Sequence, residues 1–322
     1  MVDDGPGSRR FSSTVRACPG FCGRTYTTSY GNSSFSECQA CSWGSRSIDK
    51  VLCSPCMEPL PLYDWLYLTF VAIIPLLLHS FFIQHYASEK TGRRLQASQF
   101  ICCFFECALA AFIALLAMPP RGSPILYGCP KNSLREWYPM LFNPVINHTY
   151  VLQCSHEIVF PLYSLPFIYF ALCFVFLVIF RSILFATYLR HTVVSSKSYY
   201  AALYSLPNLA VIHAMMAGVI YYIFAYVALL CSLSLNAVFM ALEENKPMRS
   251  MCLHMITRPR NLAALLVHMT LFGFSIFTFI VSRSSPSYGV LGLLAVLLVP
   301  LPSVFFLLTA SFTNPLHVHD PA

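Results

Sequence analysis

Six long apolar blocks constrain what this chain of 322 residues can fold into. A helix needs roughly 20 mostly apolar residues to cross the hydrocarbon core of a bilayer. Only 10% of the residues are charged, against about 25% in soluble domains. The sequence therefore predicts an all-α polytopic membrane protein covered by a lipid bilayer, and the formal charge of +7 is not a nucleic-acid signal. The blocks lie at 62–84, 99–118, 158–180, 199–242, 262–281 and 288–309.

The fourth block, 199–242, holds 44 residues, which is too long for one crossing and suits two. A tight turn near Gly218 to Tyr222 would divide it, because glycine permits the backbone angles of a sharp reversal. The prediction is then seven spans, with 199–219 and 222–242 as the fourth and fifth. One long tilted helix would instead give six spans and would move the C-terminus to the other side.

The expected domain organisation follows from these spans. A cysteine-rich head covers 1–61, the membrane domain covers 62–310, and a short tail covers 311–322.

Basic residues predict which side faces the cytosol, because cytosolic loops carry an excess of Lys and Arg. With seven spans, the loops on one side hold ten basic residues and those on the other hold four. This difference places the N-terminus in the lumen or outside and the C-terminus in the cytosol. The ten are Lys90, Arg93, Arg94, Arg181, Arg190, Lys197, Lys246, Arg249, Arg258 and Arg260, and the four are Arg121, Lys131, Arg135 and Arg283.

Two further signals agree with that orientation. The triplets beginning at Asn32 and Asn147 fit the N-glycosylation sequon, and both fall on the predicted outer side. Cysteines also concentrate there in even numbers, as expected of an oxidising compartment. The candidates for disulfide bonding are Cys18, Cys22, Cys38, Cys41, Cys53, Cys56, Cys129 and Cys154.

The head has two possible stabilising chemistries. Its spacing of C-x3-C, C-x2-C and C-x2-C is compatible with zinc knuckles or with disulfides. A head this small needs such cross-links because it cannot bury a sufficient core. The sequon within the cluster and the exterior assignment favour disulfides, and six cysteines allow fifteen pairings. No metal site is therefore predicted, and the pairing stays open.

Polar residues inside the apolar blocks are the candidates for a functional site, because such residues are costly in lipid. They are His79, Glu106, His213 and His268. Each can simply face neighbouring helices and form hydrogen bonds there. The chain has no catalytic motif of the zinc-protease, phosphate-loop or serine-hydrolase kind, so no catalytic residue and no cofactor is predicted.

Several strings resemble the Jun-kinase-associated membrane protein (JAMP) family. They include 58–68 (EPLPLYDWLYL), 105–107 (FEC), 136–144 (EWYPMLFNP) and 200–204 (YAALY). The likeness runs from about Cys18 to Pro315. It implies a protein of the endoplasmic reticulum with seven spans that recruits proteasomes and ubiquitin ligases to degrade misfolded proteins. It also implies binding to a stress-activated Jun kinase.

Two other functions fit the same topology. A seven-span receptor with a disulfide-rich ectodomain is one, although the third block ends without Asp-Arg-Tyr and the last block lacks Asn-Pro-x-x-Tyr. A small transporter that uses the buried His and Glu residues is the other, and it predicts inverted repeats, of which the sequence shows none.

Overall fold

The computed structural model describes residues 16–29, 32–87, 93–138, 154, 159–187, 196–241, 257, 259–282 and 298–313. Within them the chain forms two compact units. The first comprises 1–60 and 71–218, and the second comprises 61–70 and 219–322.

The head, in the first unit, contains two small antiparallel sheets. Strand β1 (Tyr26–Ser29) pairs with β2 (Asn32–Phe35), and β3 (Ser45–Ile48) pairs with β4 (Leu52–Pro55). Two-stranded sheets are marginal in water without further support. The head therefore depends on covalent cross-links.

Four disulfides supply that support and join all eight candidate cysteines. Two of them, Cys18–Cys38 and Cys41–Cys53, lie within the head. The other two, Cys22–Cys154 and Cys56–Cys129, tie the head to the segment that follows the second helix. Backbone hydrogen bonds extend this link, from the Leu60 N–H to the Leu126 carbonyl and from the Gly128 N–H to the Glu58 carbonyl. The head is thus larger than 1–61, because it includes this loop.

One glycine in the head is required by the cross-links. A Cβ atom on Gly23 would lie 2.6 Å from the Cys53 sulfur and 3.0 Å from the Cys41 sulfur. The chain must approach this disulfide closely, and only glycine leaves the space.

Six α-helices follow the head in the described residues. Five of them are long and apolar enough to cross a membrane. The sixth has 13 residues, and 283–297 before it lie outside the described residues. The helices are α1 (Leu62–His85), α2 (Arg93–Ala117), α3 (Ser164–Thr187), α4 (Ser196–Ala241), α5 (Pro259–Ser282) and α6 (Leu301–Thr313).

The tight turn expected at Gly218 to Tyr222 is absent, because α4 is one uninterrupted helix of 46 residues. Gly218 has a different reason to be glycine. A Cβ atom there would lie 2.5 Å from the Cβ and 2.7 Å from the Cγ of Trp137. Trp137 belongs to a short 3-10 turn, Leu134–Trp137, and is 3% exposed. Gly218 therefore allows close packing of a buried indole against the helix, and it does not reverse the chain.

Replacing Gly218 with alanine should destabilise the protein by roughly 1–3 kcal/mol, the usual effect of overpacking. The Trp137 ring would have to shift, because its Cβ and Cγ atoms occupy the space of the new methyl group. Thermal unfolding in detergent would measure the loss.

Gly273→Ala is the matched control. Among the described residues, its Cβ atom would meet only the Val299 Cγ2 atom, at 3.7 Å, an ordinary contact. That variant should be neutral or more stable by up to about 1 kcal/mol, since alanine favours helix over glycine. Equal effects of the two substitutions would contradict the packing role of Gly218.

Candidate functional site

The first unit contains a buried ion pair between Glu106 on α2 and Arg181 on α3. Arg181 donates from Nε to Glu106 Oε1 at 3.0 Å and from Nη2 to Oε2 at 3.1 Å. The Arg181 side chain is 6% exposed and the Glu106 side chain is 0% exposed. The Cys102 thiol also donates to Oε1 at 3.3 Å. This two-bond geometry is the strongest arrangement for arginine with a carboxylate, and it fixes the register of α2 against α3.

Arg181 corrects two sequence expectations. The third span was expected at 158–180, with Arg181 in the cytosolic loop, whereas α3 runs from Ser164 to Thr187 and Arg181 is buried within it. The predicted span stopped there because a charge was read as the end of the apolar block. Because Glu106 neutralises this charge, the helix can continue past Arg181. The cytosolic side of the charge comparison falls from ten to nine, against four.

His79 on α1 lies beside two cysteines of α2, Cys103 and Cys107. One ligand atom from each of the three lies within 4.8 Å of the others. All three side chains are buried. Imidazole and thiolate are the preferred ligands of zinc and of other soft metals, so these residues could hold a metal ion.

His213 and His268 are buried in hydrogen-bonded surroundings. In the first unit, a His213 ring nitrogen lies 3.0 Å from the Tyr163 carbonyl oxygen, and the Phe167 ring lies 5.0 Å away. In the second unit, the Ser232 hydroxyl lies 2.8 Å from Nδ1 of His268. The four polar residues singled out in the sequence therefore do not form one site. The structure places Glu106 beside Arg181, His79 beside cysteines, and the other two histidines elsewhere.

The second unit contains buried polar contacts that the sequence analysis did not identify. The Tyr221 hydroxyl donates to the Asp64 carboxylate at 2.6 Å, and Asp64 is fully buried. The Tyr63 hydroxyl donates to the Tyr221 carbonyl at 2.9 Å. On α6, Ser303 donates to Asn236 of α4 at 3.1 Å. Asp64 was detectable, since it is the one acidic residue inside the first apolar block.

The loop after α2 is held to the head by Glu136. This carboxylate accepts the backbone N–H of Asn132 at 2.8 Å and lies 3.5 Å from the Arg46 guanidinium. Arg46 also donates to the Pro130 carbonyl at 3.1 Å. The next residue is Trp137, which packs against Gly218. The Glu-Trp pair of the resemblance thus connects the head with α4 within the first unit.

The structure describes one of the two glycosylation candidates. Asn32 begins strand β2, and Asn147 lies outside the described residues.

These observations define the class: a helical, multi-pass membrane protein with a disulfide-bonded N-terminal head. Within that class, the chain belongs to the JNK1/MAPK8-associated membrane protein family, whose model matches residues 18–315.

Curated relatives agree with this assignment. The chain is 37% identical over 317 residues to "JNK1/MAPK8-associated membrane protein homolog" from Caenorhabditis elegans, covering 94% of this chain and 96% of the relative. It is 39% identical over 303 residues to the JNK1/MAPK8-associated membrane proteins of Homo sapiens and Mus musculus, covering 93% of this chain and 94% of each relative. No solved structure matches the chain.

Proposed function

We propose that this protein is a non-enzymatic adaptor of the endoplasmic-reticulum membrane. It recruits proteasome subunits and membrane ubiquitin ligases for the degradation of misfolded reticulum proteins, and it binds a Jun kinase. The observation that carries the proposal is the family match over nearly the whole chain, to relatives whose names state association with JNK1/MAPK8.

The four disulfides support a lumenal head. Disulfides persist in oxidising compartments and are rare in the cytosol. The kinase and the proteasome are cytosolic partners, so they would bind the other side of the membrane. That side offers the short segments 86–92, 188–195 and 243–258, which connect the helices.

The number of spans decides whether 243–258 faces the cytosol. The helix α4 has 46 residues, a length of about 69 Å at 1.5 Å per residue, whereas the hydrocarbon core is about 30 Å thick. Charge also favours seven spans, with nine basic residues inside and four outside. With six spans, the four basic residues from Lys246 to Arg260 move outside and Arg283 moves inside, which gives six inside and seven outside. We therefore propose seven spans. This proposal requires that α4, which is continuous through Gly218, break in the bilayer at a position other than Gly218, because Gly218 packs against Trp137.

Cys252 provides a direct test of this topology. In cells whose plasma membrane alone is permeabilised, a membrane-impermeant maleimide should label Cys252 in the cytosol. The control is Cys252→Ser, which should lose the label. Labelling that requires opening of the reticulum membrane would instead show six spans.

Glycosylation tests the side of the head. A glycosidase should increase the gel mobility of the wild-type chain, and the shift should decrease in Asn32→Gln. A glycan that stays high-mannose would agree with residence in the reticulum. If Asn32 carries no glycan but the membrane still protects the head from added protease, the lumenal orientation is supported and glycosylation at Asn32 is contradicted.

Affinity purification from mild detergent tests the adaptor function. Proteasome subunits, ubiquitin ligases and a Jun kinase should be recovered with the wild-type chain. Recovery should fall in Lys246→Gln/Arg249→Gln, in a proposed cytosolic loop, and should be unchanged in Arg121→Gln, an exposed residue on the proposed lumenal side. Recovery of a trimeric G protein, or a substrate-dependent current, with none of these partners would contradict the proposal.

A further inference from the structure

Three buried side chains of the first unit form what we call the imidazole–thiol cluster: His79, Cys103 and Cys107. His79 and Cys103 are 0% exposed, and Cys107 is 5% exposed. Cys103 and Cys107 are four residues apart on α2, so they share one face of that helix. His79 reaches the same point from α1.

His79 differs from the other intramembrane histidines in its hydrogen bonding. His213 and His268 each have a partner for at least one ring nitrogen. Neither ring nitrogen of His79 makes a hydrogen bond of good geometry with a described residue, and the Ala202 backbone offers only a long or poorly aligned one. A buried polar group without a well-formed hydrogen bond is destabilising. A metal ion bound to one ring nitrogen would satisfy that nitrogen and offset the cost of burial.

We propose that the imidazole–thiol cluster binds one zinc ion. Thiolate and imidazole ligands select soft or borderline metals such as Zn²⁺ and Cu⁺. Two thiolates and a neutral imidazole give a neutral site with Zn²⁺. With Cu⁺ the same ligands give a site with a net charge of −1. Because a net charge is costly in an apolar interior, charge balance favours zinc. Binding releases the two thiol protons to water and changes no oxidation state.

The geometry is compatible with this ion. Bond lengths of about 2.3 Å for Zn–S and 2.0–2.1 Å for Zn–N imply ligand separations of roughly 3.5–3.8 Å in a tetrahedron. The ligand atoms now lie within 4.8 Å of one another, so they must approach by about 1 Å, which side-chain rotation can provide. Cys173 on α3 is 1% exposed and lies against the Cys107 thiol. As a neutral thiol it can donate a hydrogen bond to the Cys107 sulfur, whereas a third thiolate would give the site a net negative charge.

The ion would act as a structural clamp between helices. Zinc has no redox chemistry, and an ion bound by residues of both α1 and α2 would hold these two helices together. This inference does not depend on the adaptor function. The sequence analysis predicted no metal, because its zinc signature lay in the head and these ligands come from two separate apolar blocks.

Metal analysis of the full-length chain tests the proposal. The protein is purified through a tag that does not bind metals, without chelators, and its metals are measured by mass spectrometry. About one zinc per chain is expected in the wild type, and essentially none in Cys103→Ser/Cys107→Ser, because that variant keeps only one of the three ligands. The control is Cys231→Ser, which replaces an exposed free cysteine of α4 and should keep the zinc.

Cobalt substitution gives a measurement on the wild-type chain, so it does not depend on how well the variants fold. Co²⁺ added to metal-depleted protein should produce a thiolate-to-cobalt charge-transfer band together with visible bands of tetrahedral cobalt. Added zinc should abolish both. A wild-type chain with no zinc and no such band would overturn the proposal, and so would a chain that contains copper in place of zinc.

Discussion

Glu106→Leu is expected to destabilise the protein by about 3–5 kcal/mol, the usual loss when one partner of a buried ion pair is removed. The substitution leaves the Arg181 guanidinium buried without its carboxylate, and Arg181 is 5% exposed. Arg181→Met should cause a similar loss of stability, because it leaves the Glu106 carboxylate buried without its guanidinium. Thermal unfolding in detergent or in lipid nanodiscs measures both.

The double variant Glu106→Leu/Arg181→Met tests the cause. Apolar replacement of a whole buried pair is often neutral or stabilising, so the double variant should unfold within about 1 kcal/mol of the wild type. A double variant as unstable as the sum of the single variants would show that the pair is not the reason for the loss.

The ion pair between Arg46 and Glu136 provides a matched control in the head. Its atoms lie 3.5 Å apart, and the Arg46 side chain is 31% exposed. Water screens such a pair, so Arg46→Met should cost no more than about 1 kcal/mol. A loss equal to that of Glu106→Leu would mean that burial does not distinguish the two pairs.

Removing the Cys22–Cys154 disulfide with a Cys22→Ser/Cys154→Ser variant is expected to cost about 2–5 kcal/mol. This bond joins residues 132 positions apart, so its loss detaches Cys154 from the head, while Cys56–Cys129 still holds the part of the loop near Cys129. Limited proteolysis of the non-reduced protein, together with thermal unfolding, would detect the released loop.

Cys41→Ser/Cys53→Ser is the comparison, because that bond spans only 12 positions. Cys56–Cys129 already closes 73 of the 132 positions, so chain-closure entropy gives about 4 kcal/mol for the longer loop and about 3 kcal/mol for the shorter one. Membrane helices within the longer loop already restrict the unfolded chain, so the difference should not exceed about 1 kcal/mol. A larger loss from the shorter bond would contradict the entropic explanation.

Several features were predictable from the sequence because they depend on local composition. The first span was expected at 62–84 and forms Leu62–His85, since a continuous apolar run must form all its backbone hydrogen bonds within a helix. The eight candidate cysteines were identified by their even numbers in two segments, and all eight form disulfides. The resemblance to the family was carried by uninterrupted strings of residues.

Other features were not predictable, because they depend on which residues meet. Arg181 was read as the beginning of a loop, and only the position of Glu106 on another helix explains how a charge is buried there. Gly218 was read as a turn, because one sequence does not distinguish a glycine that bends the chain from one that makes room for Trp137. The disulfide pairing was open for the same reason.

The sequence by itself determined that the chain crosses a membrane and has a cysteine-rich head, because both features depend on composition alone. The tertiary structure decided which cysteines pair, that α4 continues through Gly218, and that Glu106 meets Arg181. It also brought His79 to Cys103 and Cys107. The physical reason is that each of these contacts joins side chains distant in sequence, and their separation in space is set only when the helices pack.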